Sequence, residues 1–69
     1  MKTNNNILKQ LLDSTIEFTS ELMELGYSLQ ESFMYVLMYI SEQRTIQKLS
    51  AEEYVELEGN YMQRIYAFA

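Results

Sequence analysis

The sequence predicts an all-α fold of three helices, and three observations carry that expectation. Proline is absent, and only Gly26 and Gly59 interrupt the chain, so nothing forbids long helices. Apolar residues recur at spacings of three and four, the helical period. Two Ser-x-x-Glu capping boxes, Ser28-Leu29-Gln30-Glu31 and Ser50-Ala51-Glu52-Glu53, mark where helices begin. The expected helices cover about residues 6–25, 29–48 and 51–67, arranged as a three-helix bundle or a helical hairpin plus a third helix. A chain of 69 residues is one small domain at most.

In the first helix, Asn4 to Asn6 offer side-chain oxygens for an N-cap. Leu8, Leu11, Leu12, Thr15, Ile16, Thr19, Leu22 and Met23 then form the inward arc. Gly26 falls where a left-handed residue would end the helix. Asp13, Glu17, Glu21 and Glu24 share the opposite face. Like charges one turn apart repel mildly, and Glu21 and Glu24 also sit at the end whose partial charge disfavours anions.

The second helix holds the most unusual segment, Phe33 to Ile40, eight residues without a polar break. A strand is the alternative for so short a run. No turn signals bound it, however, and Ser41-Glu42-Gln43-Arg44 follows where a hairpin would need Gly or Asn, so helix is preferred. On a helical projection Phe33, Val36, Leu37 and Ile40 form the stripe expected to face the core. Met34 and Met38 lie on one flank, with Tyr35 and Tyr39 on the side roughly opposite the stripe. A helix apolar all round either lies at the centre of its fold or meets another chain.

The third helix starts at the second capping box, with Leu49 and Tyr54 placed as a hydrophobic staple. Tyr54, Leu57, Tyr61, Met62, Ile65 and Phe68 fall on one side. Two charges intrude on apolar faces, Arg44 and Glu58, and an ion pair between them would fix the register of the second and third helices.

Composition removes several classes of function. A net charge of −5 opposes contact with nucleic-acid phosphates or an anionic membrane surface. With no Cys and no His, nucleophilic Cys–His or Ser–His chemistry and the common zinc and haem ligand sets are missing, so neither catalysis nor a cofactor is expected. The eight-residue apolar run is far shorter than a membrane span, and the polar amino end shows no secretory leader; a cytoplasmic location is expected.

What remains is protein binding. Small metal-free, disulfide-free chains commonly gain stability by oligomerising, so a homo-oligomer, with a dimer favoured, is expected. The expected function is that of a small non-catalytic regulator, adaptor or inhibitor. Met34, Tyr35, Met38 and Tyr39 are the expected contact residues, with Tyr66 and Phe68 beside them, since Met repacks easily and Tyr joins apolar area to a polar tip. The alternative is an acidic mimic of nucleic acid that inhibits a DNA- or RNA-binding enzyme, in the manner of anti-restriction or anti-CRISPR proteins, through Asp13, Glu17, Glu21 and Glu24. Leu22-Met23-Glu24-Leu25-Gly26-Tyr27-Ser28 resembles the Met-Gly-Tyr/Phe loop of ubiquitin-associated domains. The resemblance covers seven residues; the long second helix and the capped third depart from that fold, and no function is carried across.

Overall fold

Two four-residue connections of the same design divide the chain into helices. The computed structural model describes residues 5–68, with α1 at Asn5–Glu24, α2 at Leu29–Ile46 and α3 at Ala51–Phe68. Each helix packs on the other two, giving a three-helix bundle. Asn4, part of the expected first cap, lies outside the described residues.

Each connection closes one helix and caps the next. After α1, the Tyr27 amide donates to the Leu22 carbonyl at 3.1 Å and the Gly26 amide to Met23 at 3.0 Å. This is a Schellman turn, with Gly26 in the left-handed region at φ 107°. After α2, Leu49 donates to Arg44 at 2.9 Å and Lys48 to Thr45 at 3.3 Å, so α2 ends two residues earlier than its periodicity suggests. Here Lys48 takes the left-handed place at φ 55°, which costs a residue with a Cβ about 1 kcal/mol or more. Both capping boxes form. The Glu31 amide donates to the Ser28 hydroxyl at 3.1 Å and the Ser28 amide to the Glu31 carboxylate at 2.9 Å. The Glu53 amide likewise donates to the Ser50 hydroxyl at 3.1 Å and the Ser50 amide to the Glu53 carboxylate at 2.8 Å.

One buried line runs along each helix. Leu8, Leu11, Thr15, Thr19 and Leu22 supply it from α1, Ser32, Val36 and Ile40 from α2, and Leu57, Tyr61 and Ile65 from α3. Phe33 and Leu37 pack against this core half-buried, as do Leu49 and Tyr54 of the staple. The centre of the α2 line is therefore rotated from the expected stripe, toward Ser32. The Ser32 hydroxyl is fully buried and has no hydrogen-bond partner among the described residues.

The remaining core hydroxyls are paired. Thr15 donates to the Leu12 carbonyl at 2.6 Å, and Thr19 to the Thr15 carbonyl at 2.8 Å. Thr19 has only one proton, so across the 2.6 Å contact with the Tyr61 hydroxyl it is Tyr61 that donates. Burial pushes the Tyr61 phenol above its ordinary value, and the Thr19 hydrogen bond offsets part of that rise. The stability linked to this group is complete below about pH 10, its unfolded value, and is lost as pH climbs toward the higher folded one.

Tyr61→Phe is expected to cost about 1 kcal/mol at neutral pH. The gap between the two proteins should narrow as urea titrations are moved above about pH 10. The two glycines should respond in opposite directions. Gly26→Ala is strained at φ 107° and should destabilise by about 1 kcal/mol, while Gly59→Ala, in an exposed helix interior where an added Cβ meets nothing within 4 Å, should stabilise dilute protein by about as much. Lys48→Gly should relieve its turn; an unchanged melting temperature would remove that account of the second connection.

Candidate functional site

Because α2 advances about 100° per residue, its eight apolar residues are distributed over every side of it. Val36 points into the core and is fully buried. Met34 and Met38 both lie about 160° from it, on the side facing neither α1 nor α3. They are 63% and 64% exposed. Phe33 turns toward α3, where its ring stacks on Tyr61 with centroids 5.9 Å apart.

The tyrosines turn the other way. Tyr39 is half-buried and meets Phe18 of α1 edge-on at 5.6 Å, so it serves the fold. Tyr35 is 46% exposed and meets Tyr27 of the first connection at 5.4 Å. The four expected contact residues thus separate into two solvent-facing methionines, one tyrosine on the α1 edge, and one tyrosine holding α1.

Tyr66, 69% exposed, overhangs a cavity of about 330 Å³ lined by Leu29, Gln30, Phe33 and Ile65. Gln30 lies one turn before Met34, so this recess continues into the methionine face across the groove between α2 and α3. The backbone of Phe68 closes α3, but its side chain lies outside the described residues. Asp13, Glu17, Glu21 and Glu24 are all exposed on the side of α1 that faces away from the core.

Arg44 and Glu58 are joined through an aromatic ring. The Arg44 guanidinium lies 4.8 Å from the centre of the Tyr54 ring, whose hydroxyl makes a long 3.5 Å contact with Glu58. Arg44 also occupies the last turn of α2, where the helix dipole favours a cation.

One exposed apolar feature escapes a reading centred on α2. Val55, 65% exposed, shares a line on α3 with exposed Gly59 and Tyr66 and half-buried Met62, at spacings of four, three and four. That spacing is visible in the sequence, yet the stronger core series Leu57, Tyr61, Ile65 on the same helix obscures it.

Among the described residues, no three His, Cys, Asp or Glu side chains gather into a group that could hold a metal ion. No described helix is long and apolar enough to cross a membrane. Comparison with protein-family models, curated proteins and solved structures finds no match to this chain.

Exposed side chains that touch no neighbour contribute little to folding. The double substitution Met34→Gln with Met38→Gln is therefore expected to change folding free energy by less than about 0.5 kcal/mol in dilute protein, whereas Tyr39→Ala should destabilise clearly. Thermal and urea unfolding of the two variants would check this contrast.

Proposed function

We propose that this chain is a small non-catalytic protein-binding regulator, adaptor or inhibitor that works as a homo-oligomer and docks a partner protein on the methionine face of α2. The observation that supports this reading is the exposure of Met34 and Met38 directly opposite a fully buried Val36. Two large apolar side chains are held in water on a rigid helix, where they do nothing for the chain's own core. Methionine's unbranched, polarizable side chain adapts to the shape of an apolar partner surface. Tyr35 at one edge and Tyr66 at the other extend the surface with hydroxyls that can hydrogen-bond at its rim.

A second reading draws on α1. Four exposed carboxylates on one helix face, in a chain of net charge −5, support mimicry of a phosphate backbone against a DNA- or RNA-binding enzyme. The two readings differ in their response to salt, since exposed charges are screened within about 10 Å at 0.1 M ionic strength and apolar contacts are not.

The test is capture of partner from native extract at low and high salt, with the wild type and two variants. Docking through α2 predicts a complex that survives high salt and is lost in Met34→Gln with Met38→Gln. It should be retained when Asp13, Glu17, Glu21 and Glu24 are changed to their amides. A complex that dissolves in salt and needs the four carboxylates would replace this reading with mimicry.

A further inference from the structure

We propose that two copies of this chain exchange α3. The second connection straightens, α2 and α3 become one helix from Leu29 to Phe68, and each copy's α3 takes the place that the other's has left. The residues of the connection point to this. Gln47, Lys48, Leu49 and Ser50 include neither glycine nor proline, and the first three are sound helix formers. Yet Lys48 is held in the left-handed region at φ 55°, which its Cβ resists. The turn is strained, and a helix through the same residues is not. The first connection has the opposite balance, since Gly26 tolerates φ 107° and would weaken a helix interior. Short hinges under strain favour exchange of the element they carry.

Helical phase selects the same pair of helices. Val36 and Tyr61 are the middle residues of the buried lines on α2 and α3, and they stand 25 positions apart. At about 100° per residue that falls about 20° short of seven whole turns, so both lines lie on one side of a continuous helix. Thr15 and Val36, the matching residues of α1 and α2, miss whole turns by about 60°. A helix from Leu29 to Phe68 is about 60 Å long, against 41 Å for the longest extent of the bundle. It therefore carries α3 clear of its own α1, and a second copy's α3 must cover the core left open.

The contacts that this second α3 makes are already present in the single chain. Tyr61 meets the Thr19 hydroxyl of α1 at 2.6 Å, its ring stacks on Phe33 of α2, and Tyr54 lies under the Arg44 guanidinium. All three cross from α3 to the rest of the chain, so all three are remade between copies. Each copy gives and receives the same set, as two-fold symmetry requires. What the exchange gives up is confined to the connection: the Ser50–Glu53 capping box and the half-buried place of Leu49. The amides at the start of α3 become ordinary helix donors. The exchange rests on the homo-oligomer part of the proposed function. It leaves Met34 and Met38 exposed in either form, because α3 takes the same place on α2.

The chain is refolded from urea at concentrations from micromolar to millimolar, since α3 must leave its core before it can exchange, and solution mass is then measured. The wild type is expected to give a growing share of dimer as the refolding concentration rises. Lys48→Gly should reduce dimer formation at least tenfold, because glycine relaxes the turn and weakens the continuous helix. Its melting temperature shows whether the monomer still folds. Met34→Gln with Met38→Gln should dimerise like the wild type. Spin labels at Gln30→Cys and Gln63→Cys, in a chain with no native cysteine, separate the two forms. One doubly labelled chain among excess unlabelled chains should give a distance of about 10–20 Å in the monomer, where α2 and α3 lie side by side. In the exchanged dimer the same labels should lie about 50 Å apart along one helix.

A wild type that stays monomeric at every refolding concentration overturns the exchange and removes the homo-oligomer from the proposed function with it. A dimer that keeps the short label distance, or that is lost with the methionines, overturns the exchange alone, because the copies then meet as closed bundles. A dimer as strong in Lys48→Gly as in the wild type overturns the strained connection as its cause. Docking of a foreign partner on α2 is decided separately, by the capture experiment.

Discussion

The phenol of Tyr61 reaches all three helices at once. It is fully buried on α3, donates its hydroxyl proton to Thr19 of α1, and lays its ring face against Phe33 of α2. Thr19 hands the bond on to its own helix at Thr15, so a phenolic group that would be costly to bury alone is satisfied. The pairing works only when Thr19 faces Tyr61, which fixes the rotation of α1 against α3. The Phe33 stack then constrains α2. Nonspecific apolar packing could tolerate several rotations of these helices; one directional bond and one ring stack tolerate far fewer.

That fixed rotation determines what α2 offers to solvent. The bundle's thinnest extent is 16 Å, and each of its three helices has only two neighbours, which leaves one side of every helix open. No helix in so thin a molecule can be covered on every side. A second helix that is apolar all round must therefore leave some apolar residues in water. With Val36 inward, Phe33 against α3 and Tyr39 against α1, the residues left outside are Met34 and Met38, with Tyr35 partly exposed beside them. Their exposure is a geometric outcome of the core, and the function proposed for them uses what that geometry leaves uncovered.

Much of the fold was legible in the residues because its signals are local. Ser28 with Glu31, Ser50 with Glu53, and Gly26 act over a few residues of backbone, and each forms the contact its spacing implies. The second helix end was harder to see, because a lysine occupies a position where glycine is the usual signal. The rotation of α2 was harder still. Ser32 lies in its buried line, and a serine carries no apolar mark to announce burial. Counting apolar residues alone therefore centres the stripe about one position away and leaves Tyr39 on the outside, when Phe18 of α1 covers it. Exposure of Val55 and Tyr66 was hidden for a related reason: on one helix, two apolar series compete, and only packing decides which faces inward.

The two connections share one design: a left-handed residue, an apolar residue, a serine that caps the next helix, and a glutamate three positions on that returns the bond. Every hydrogen bond in that design spans at most five residues of chain. Each reversal can therefore form as soon as its neighbouring turns are helical, before any distant contact exists. The search that remains is the docking of three preformed rods through short loops, a low contact-order problem. Such a chain belongs among the rapid folders, with relaxation in the microsecond to millisecond range typical of small helical bundles. Even a bundle with a thin core would then spend little time with its core side chains unprotected.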